Sequence, residues 1–533
     1  MMFLYGRFSG RSAFLAFALS FAALGGGAAP VHGAERHPCA GAGRWFPADA
    51  AALRAQIEGF IQSASTAAIP QGRPLAIVVP HAGYEYSGRT AAHAYRALRG
   101  HRFERVLLLA FSHSAAIDGA SALDVLSYET PLGDVGVDGE AVRSLLRNDL
   151  FRTEARAHAS EHSDENQLPF LQVALDGDFK LVSVLVGPLD SMSAKAAAER
   201  LDQLAAALLP LVDEKTLIVA SSDFTHYGAP YGYVPFRANT GANLAALDGE
   251  AAYWILRGTA EDLLDFFGRT DATVCGRAPL ALMKRLLPAG AQGRALHYAR
   301  SGGGDPDPED LSVSYFALGF FEGDSNPALP EWIAPAQARA QLSREEQRTL
   351  LALARQSIAS RMNAGQALRA SSFELTPRLM AAQGAFVTLT IEGRLRGCIG
   401  NVIAPGPLYS TVARMAQEAA FGDPRFPELS PAEFERIHIE ISALLTPEGE
   451  VDATPTRPLA DPGQIRVGQD GLTIERGFAR GLLLPQVPLE YGWNREEYLL
   501  HLCQKAGLPP TAWTEARIER FGAQVFGEEE RER

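Results

Sequence analysis

The chain has 533 residues, of which 47% are hydrophobic and 21% are charged, and its formal net charge is −13. This composition is typical of folded globular proteins and excludes a largely disordered chain, while the length predicts two or more domains. The acidic balance argues against a nucleic-acid partner, which would require a basic surface.

Residues 1–34 have the pattern of a secretory signal peptide. Arg7 and Arg11 form a short basic region, and Ala13–Leu24 is an uncharged run that is too short to cross a bilayer. Small residues follow, and they leave the cleavage point ambiguous. We therefore expect an exported, periplasmic protein with no stable membrane span. An uncleaved anchor and a misassigned start are the alternatives, and the second would make the protein cytoplasmic.

Residues 35–322 are predicted to form one α/β domain. Apolar runs at 75–80, 105–110 and 217–220 have the character of strands buried in a parallel sheet. Stretches with helical character and a late strand complete the alternating pattern. The helices are expected at Gly88–Leu98, Ala194–Leu208 and Ala278–Leu287, and the strand at Leu311–Leu318.

A polar cluster follows each apolar run. His81 comes after the first run, His113 after the second, and Asp223 with His226 after the third. Ligands of open α/β sheets bind beyond the carboxyl ends of the strands, so we expect these side chains to form one site. Because imidazole is the commonest metal ligand, the sequence predicts a metal site. The alternative for any one histidine is a hydrogen-bonded polar residue without a ligand.

Cys275 lies just before Gly276 and a predicted helix with Pro279 near its first turn. A cysteine at a helix N-terminus has its thiolate favoured, and the thiolate is both the nucleophilic and the metal-binding form. The alternative is that Cys275 is a small buried hydrophobic residue. The residues alone leave these two interpretations open.

Two carboxylate–imidazole pairs have a spacing of three residues. Asp223 and His226 are one pair, and His162 and Glu165 are the other. A nearby carboxylate can hold an imidazole in one tautomer and raise its pKa, which suits a general base or the support of a metal ligand. For His162 and Glu165 the alternative is a solvent-exposed acidic helix start.

These motifs together resemble the Memo family, called AmmeMemoRadiSam system protein B in bacteria. The resemblance rests on Pro80–Gly88, Ser112-His113, Glu161–Ser163 with Glu165 and Leu168–Phe170, Ser221–Gly228, Cys275–Arg277, Ala42–Pro47 and Ser312–Tyr315. It implies a fold similar to class III extradiol, non-haem iron dioxygenases. It also implies an iron or copper pocket held by His81, His113 and Cys275, with Asp223 and His226 as further pocket residues. Ser160 departs from the acidic residue that the family often has there.

Two histidines with one anionic ligand suit Fe(II) and oxygen chemistry, and a thiolate ligand would also admit copper or zinc. We therefore expect a metal-binding protein. The main hypothesis is a non-haem-iron oxidoreductase of unknown substrate, with Fe(II) as the cofactor and Cu or Zn as the alternative metals. His226, Asp223 and His162 are the predicted catalytic residues. One alternative is a non-catalytic metal-binding or redox adaptor that partners a radical-SAM protein, by family analogy. The other is a zinc-dependent hydrolase.

A proline-containing linker is predicted at 323–342, followed by a smaller α+β domain at 343–526 and a charged, disordered tail at 527–533. Ser343 and Glu346 have the spacing of a helix-capping box. The expected strands are Ala385–Ile391, Ile437–Leu444 and Gly471–Ile474, and the expected helices are Leu408–Ala420 and Arg495–Lys505.

The second domain resembles the AMMECR family, called AmmeMemoRadiSam system protein A. The resemblance rests on Glu392–Gly400, Phe421–Pro427, Gly481–Val487, Lys505–Leu508 and Trp513. It implies a fold but little mechanism. Candidate small-molecule site residues are Arg396, Cys398, His438 and Glu440. The alternative is that Gly397 and Gly400 serve a tight turn and Cys398 fills the space beneath it. A Cys398–Cys503 disulfide stays open.

Overall fold

The computed structural model describes residues 35–302, 304–323, 327–336, 341–362, 368–403, 406–445 and 456–528. The predicted signal peptide and residues 529–533 of the predicted tail lie outside this part, as do segments of the predicted linker. The chain divides into two compact units, one of residues 1–234 and 240–333 and the other of 235–239 and 334–533. Among the described residues, no helix combines the length and apolar character needed to cross a membrane.

The first unit is an α/β domain. Its strands are β1 (Arg36–His37), β2 (Pro74–Val79), β3 (Arg105–Ala110), β4 (Ala120–Ser121), β5 (Ser127–Tyr128), β6 (Val135–Gly136), β7 (Phe151–Arg152), β8 (Lys180–Val186), β9 (Thr216–Ser221), β10 (His226–Tyr227), β11 (Gln292–Arg300) and β12 (Ser312–Phe321). Its helices are α1 (Ala50–Ser63), α2 (Tyr84–Arg96), α3 (Gly139–Leu145), α4 (Ala155–His158), α5 (Leu168–Ala174), α6 (Ala194–Leu208), α7 (Thr240–Arg257), α8 (Ala260–Thr270) and α9 (Arg277–Leu286).

A nine-stranded sheet forms the centre of this unit, in the order β10-β12-β2-β9-β3-β8-β4-β7, with β11 paired to β12. β2, β9, β3 and β8 run parallel, and the apolar runs of the first three predicted this arrangement. Val78 of β2 and Leu109 of β3 both lie opposite Ala220 of β9. The three strands therefore end at the same edge of the sheet, which places the residues that follow them close together.

The antiparallel part of the sheet completes this edge. β12 pairs with β2, and all ten of its residues are buried. The two-residue strand β10 pairs with β12, with His226 opposite Val313. This pairing returns the chain to the edge after Asp223, so His226 lies near the ends of the parallel strands.

The second unit is an α+β domain, as predicted, and its strands pair in antiparallel fashion. Its strands are β13 (Ala385–Ile391), β14 (Arg394–Asn401), β15 (His438–Leu445), β16 (Arg457–Pro458), β17 (Gly471–Arg476), β18 (Ala479–Leu483) and β19 (Arg517–Gly527). Its helices are α10 (Arg344–Met362), α11 (Pro377–Met380), α12 (Leu408–Phe421), α13 (Pro431–Phe434), α14 (Val487–Glu490) and α15 (Arg495–Lys505). The main sheet has the order β14-β13-β15-β19-β17-β18. Gly527, predicted to begin the tail, ends β19.

The glycine-rich motif of the second domain forms a hairpin and not the tight turn that the sequence left as an alternative. The turn itself is at Glu392 and Gly393, whose φ angles are +52° and +73°. Gly397 and Gly400 lie within β14. A Cβ atom at Gly397 would lie 2.0 Å from the backbone oxygen of Ala419 in α12. Glycine is therefore required there because the helix approaches the strand closely.

Candidate metal centre

Three imidazoles converge at the carboxyl edge of the parallel strands. One ring nitrogen from each of His81, His113 and His162 lies within 4.8 Å of the other two. His81 follows β2, His113 follows β3, and His162 lies in the loop between α4 and α5. Two of these three were predicted as metal ligands, and His162 was predicted as a catalytic residue instead.

The hydrogen bonds of His81 fix its tautomer. Its Nδ1 atom is 3.0 Å from the hydroxyl of Ser221, which donates its own proton to the carbonyl of Ser163 and accepts from Gln167. The hydroxyl must therefore accept the proton of Nδ1, which leaves Nε2 with a bare lone pair. Nε2 is buried and has no hydrogen-bond partner. A metal ion would satisfy this orphaned atom.

Glu161 holds the second imidazole. Its Oε1 atom accepts from Nδ1 of His113 at 2.7 Å, and the same carboxylate accepts the backbone N–H groups of His113, His162 and Ser163. Burial opposes ionisation of Glu161. The hydrogen bonds to its carboxylate and the charges of His113 and His162 outweigh the effect of burial, and they lower the pKa of Glu161 to about 2. His113 therefore directs its Nε2 atom to the cluster, in the carboxylate–histidine arrangement found at metal sites.

His162 is held by stacking. Its ring lies 4.1 Å from the Trp45 ring at an angle of 9°, and 4.3 Å from the His113 ring at 24°. Burial, followed by the charges of His113 and His81, lowers the pKa of His162 to about 3. Burial also moves the pKa of His81 well below its usual value. Both rings are thus neutral at pH 7, which is the form that binds metals.

Cys275 lies outside this three-histidine group. Its sulfur is 3.6 Å from Nε2 of His226, whose Nδ1 atom is 3.0 Å from the carbonyls of both Phe224 and Thr273. Burial, followed by the charges of Asp223 and Glu161, moves the pKa of Cys275 well above its usual value. Burial and the two carboxylates thus oppose the thiolate that the start of α9 would favour, and the role of Cys275 as a metal ligand stays a prediction.

The side-chain hydrogen bonds of Asp223 go to the turn of His81, and Asp223 acts on His226 through charge: burial lowers the pKa of His226, and the charge of Asp223 opposes this. One carboxylate oxygen accepts the backbone N–H groups of His81 and Ala82, at 2.8 and 3.3 Å. The other is 3.9 Å from Nε2 of His81. Asp223 therefore fixes the turn that presents His81.

The three carboxylates of the segment 161–165 are buried, so its interpretation as a solvent-exposed acidic helix start is wrong. Glu161, Asp164 and Glu165 are each at most 2% exposed. Glu165 is also not paired with His162, because its two oxygens accept the backbone N–H groups of Ala40 and Gly41.

In the second domain, Cys398 and Glu440 share one face of the sheet, because Thr388 lies opposite both of them on its two sides. The hydroxyl of Thr388 donates to the Cys398 sulfur at 3.3 Å, and Gln486 donates to Glu440 at 2.9 Å. Cys398 and Cys503 are both free thiols.

Arg396 and His438, the other two candidates in this domain, have separate partners. Arg396 is buried and pairs with Glu433 at 2.8 Å. Nε2 of His438 is 2.6 Å from the backbone oxygen of Glu528. The structure thus places Cys398 and Glu440 on one face of the sheet, whereas Arg396 forms an ion pair with Glu433.

No role was predicted from the sequence for Trp45, Glu161 or Ser221. Each lies inside a motif that carries the family resemblance, but its partner is remote in the chain: Glu161 and His113 are 48 residues apart, and Ser221 and His81 are 140 apart. Spacing within a motif therefore holds no signal for these contacts.

Comparisons with known proteins agree with the two-domain organisation. The family described as "Memo-like protein" matches residues 36–318, and the family described as AMMECR1 matches residues 351–526. Both predicted resemblances are confirmed, and so is the fold class of an extradiol-dioxygenase-like domain followed by an α+β domain.

Several archaeal proteins are similar to part of the chain. A Methanothermobacter thermautotrophicus protein is 46% identical over 193 residues, which cover 36% of this chain and 98% of that protein. A Methanopyrus kandleri protein is 43% identical over 197 residues, which cover 36% and 92%. The crystal structure of an uncharacterized Pyrococcus horikoshii protein is 36% identical and covers 34% of this chain and 90% of that one, with a TM-score of 0.31.

Proposed function

Because this chain belongs to the Memo-like protein family through residues 36–318, we propose that its first domain is a metal-dependent oxidoreductase that acts on a small molecule. His81, His113 and His162 would hold the ion. The observation that carries the proposal is the buried, unpartnered Nε2 atom of His81, with a nitrogen of each of the other two rings within 4.8 Å.

The donor set fits a transition metal. Imidazole suits iron, copper and zinc, and three imidazoles on one side leave other coordination positions open. The similarity of the fold to non-haem iron dioxygenases favours Fe(II), with copper as the alternative. When bound, Fe(II) would supply redox chemistry with dioxygen.

The residues beside the three histidines would handle protons. The carbonyls of Phe224 and Thr273 hold the proton of His226 on Nδ1, so Nε2 carries the lone pair and would be the atom that accepts a proton. The Cys275 thiol, 3.6 Å away, keeps its own proton at neutral pH. His226 would thus be the acid or base. Asp223 would position His81, and His162 would serve as a ligand.

Zinc-dependent hydrolysis is the second candidate, and the three-histidine set favours it. Three histidines and a water form a known catalytic zinc site, in which the metal lowers the pKa of the water. The radical-SAM partner and the non-catalytic adaptor stay predictions that rest on the family resemblance.

The test is metal content after anaerobic purification, followed by loading with Fe(II), Cu(II) or Zn(II). We expect about one ion per chain in the wild type and in the control His501→Ala, and loss of the ion in His81→Ala and His162→Ala. Loss of the ion in Cys275→Ser as well would show that the Cys275 thiol is a further ligand. A wild type that binds none of the three ions would contradict the proposal, and oxygen uptake by the iron-loaded protein separates oxidoreductase from hydrolase.

A further inference from the structure

We propose that Thr273 is a positioning residue for the acid–base group of the first domain: it holds the imidazole of His226 in the tautomer that accepts a proton at Nε2. This inference rests on the role of His226 proposed above. The tautomer of the ring can be measured without turnover, so its test succeeds or fails separately from the metal chemistry.

Three hydrogen bonds join Thr273 to His226. The backbone N–H of His226 donates to Oγ1 of Thr273 at 3.0 Å, and the same hydroxyl donates to the backbone carbonyl of His226 at 2.6 Å. The ring atom Nδ1 lies 3.0 Å from the carbonyl of Thr273. Thr273 thus binds the backbone of His226 on both sides of its Cα atom and also binds its side chain.

These contacts decide the tautomer of the ring. Nδ1 is also 3.0 Å from the carbonyl of Phe224, so two acceptors face this one nitrogen. Because a carbonyl oxygen can only accept, Nδ1 must carry the proton and Nε2 the lone pair. Phe224 belongs to the same turn as His226, whereas Thr273 is 47 residues away in the chain. The second acceptor therefore stays in place only while Thr273 holds the two segments together.

The segment that contains Thr273 also carries Cys275. At its far end, the N–H of Gly276 donates to the hydroxyl of Ser222 at 2.9 Å. A Cβ atom at Gly276 would lie 2.5 Å from the Cβ of Ser222, so the two segments are in close contact there. Thr273 closes the other end through its bonds to His226. The thiol between these two attachments is thereby held beside the imidazole.

The Cys275 sulfur is not placed as a hydrogen-bond donor to Nε2. It lies 3.6 Å from Nε2 of His226 and 3.8 Å from Nδ1. A donor in line with the lone pair of Nε2 would lie much farther from Nδ1, because the two nitrogens point away from each other in the ring plane. A ligand that contacts Nε2 must itself present an O–H or N–H group, because in this tautomer Nε2 can only accept.

The measurement is ¹⁵N NMR of the full chain, labelled at histidine and treated with a chelator. It is made at about pH 8, where the ring of His226 is neutral because burial lowers its pKa. The spectrum of His226→Ala assigns the signals of this ring among the 12 histidines.

The expected ratio of tautomers follows from the two bonds to Nδ1. One buried hydrogen bond is worth about fivefold in an equilibrium, so two bonds predict an excess of the Nδ1–H tautomer of about 25-fold in the wild type. Thr273→Val removes the hydroxyl and releases the carbonyl that it holds against Nδ1, which should lower the excess to about fivefold. Thr273→Ser keeps the hydroxyl and should keep the wild-type ratio.

Thr216→Val is the matched control. Thr216 is buried at the start of β9, and its hydroxyl donates to the carbonyl of Leu211 at 2.7 Å. This variant loses a comparable buried hydroxyl at the opposite end of the strand that leads to His226, so it should lose stability without a change in the tautomer ratio. Circular dichroism checks that each variant is folded.

Three results would overturn the proposal. They are a folded Thr273→Val with the wild-type ratio, an equal change in Thr273→Ser and Thr273→Val, and an equal change in Thr216→Val. The wild-type spectrum is a further test that no folding defect can obscure, because an excess of the Nε2–H tautomer would contradict the proton assignment. A wild type that binds no metal would remove the proposed redox chemistry and leave the tautomer prediction standing.

Discussion

Glu161→Gln tests whether the carboxylate that is hydrogen-bonded to His113 raises the metal affinity of the site. In the wild type, Oε1 accepts three hydrogen bonds and Oε2 accepts one, from the backbone N–H of His113 at 2.6 Å. A glutamine can keep its oxygen on the three-bond side. The amide nitrogen then takes the place of Oε2. Its N–H bonds point at the backbone N–H of His113, so two hydrogen-bond donors face each other.

The expected effect has two parts. An unsatisfied buried N–H costs about 1–3 kcal/mol of stability. Loss of the anionic partner makes the His113 ring a weaker ligand, and outer partners of this kind are worth about 10–100-fold in metal affinity, or about 1.4–2.7 kcal/mol. Because the pKa of Glu161 is about 2, its carboxylate stays ionised at neutral pH. Titration of Glu161 itself therefore adds no pH dependence to the affinity ratio between about pH 6 and pH 8.

The assay is a competition titration with Zn(II) and a chromophoric chelator, at several pH values, on wild type and variant. Glu154→Gln is the matched control, since this exposed carboxylate precedes α4. A folded Glu161→Gln variant with wild-type Zn(II) affinity would refute the assignment of Glu161 as the partner of a ligand.

Three further predictions concern other positions. Ser221→Ala should weaken Zn(II) binding less than Glu161→Gln does, by about three- to tenfold in the same titration, because His81 loses a neutral acceptor. Burial lowers the pKa of Lys284 to about 8 from 10.5, so the unfolded chain binds more protons between these values, and stability should rise as pH increases from 8 to 10.5. Lys284→Met should abolish this rise in denaturant unfolding and add about 3 kcal/mol at pH 7; a parallel rise in the variant would contradict the cause. Gly397→Ala should destabilise the second domain by about 3 kcal/mol or more in thermal unfolding, whereas Gly406→Ala, with no atom within 4 Å of the added Cβ, should not.

Local patterns in the sequence predicted the elements well where one periodicity applies along the whole segment. The predicted bounds of Ala194–Leu208, Ala385–Ile391 and Arg495–Lys505 agree with α6, β13 and α15. The capping box at Ser343 and Glu346 is present, with reciprocal hydrogen bonds of 3.2 and 2.8 Å. These features depend on neighbours in the chain, so the sequence contains the whole signal.

The site was predictable only in part, for the same reason. His81 and His113 follow buried parallel strands, and the topology of such sheets brings them together. The role of His162 depends on Trp45 and on the path of the loop that carries it, which strand periodicity does not describe. Cys275 shows how a local rule can be opposed by tertiary structure: its place before a helix favours a thiolate, but burial raises the pKa of the thiol.

The position of β12 has a consequence for how the chain folds as it is made. This strand is the neighbour of β2, although about 240 residues separate Val78 from its partner Leu318. A ribosome therefore releases β2, β9, β3 and β8 well before the strand that covers β2 exists. Such long-range pairing is slow and leaves apolar edges exposed during synthesis. A chain truncated before Ser312 would lack a strand whose ten residues are all buried, so it should aggregate or be degraded, and the first domain becomes a finished unit only when synthesis has already reached the second.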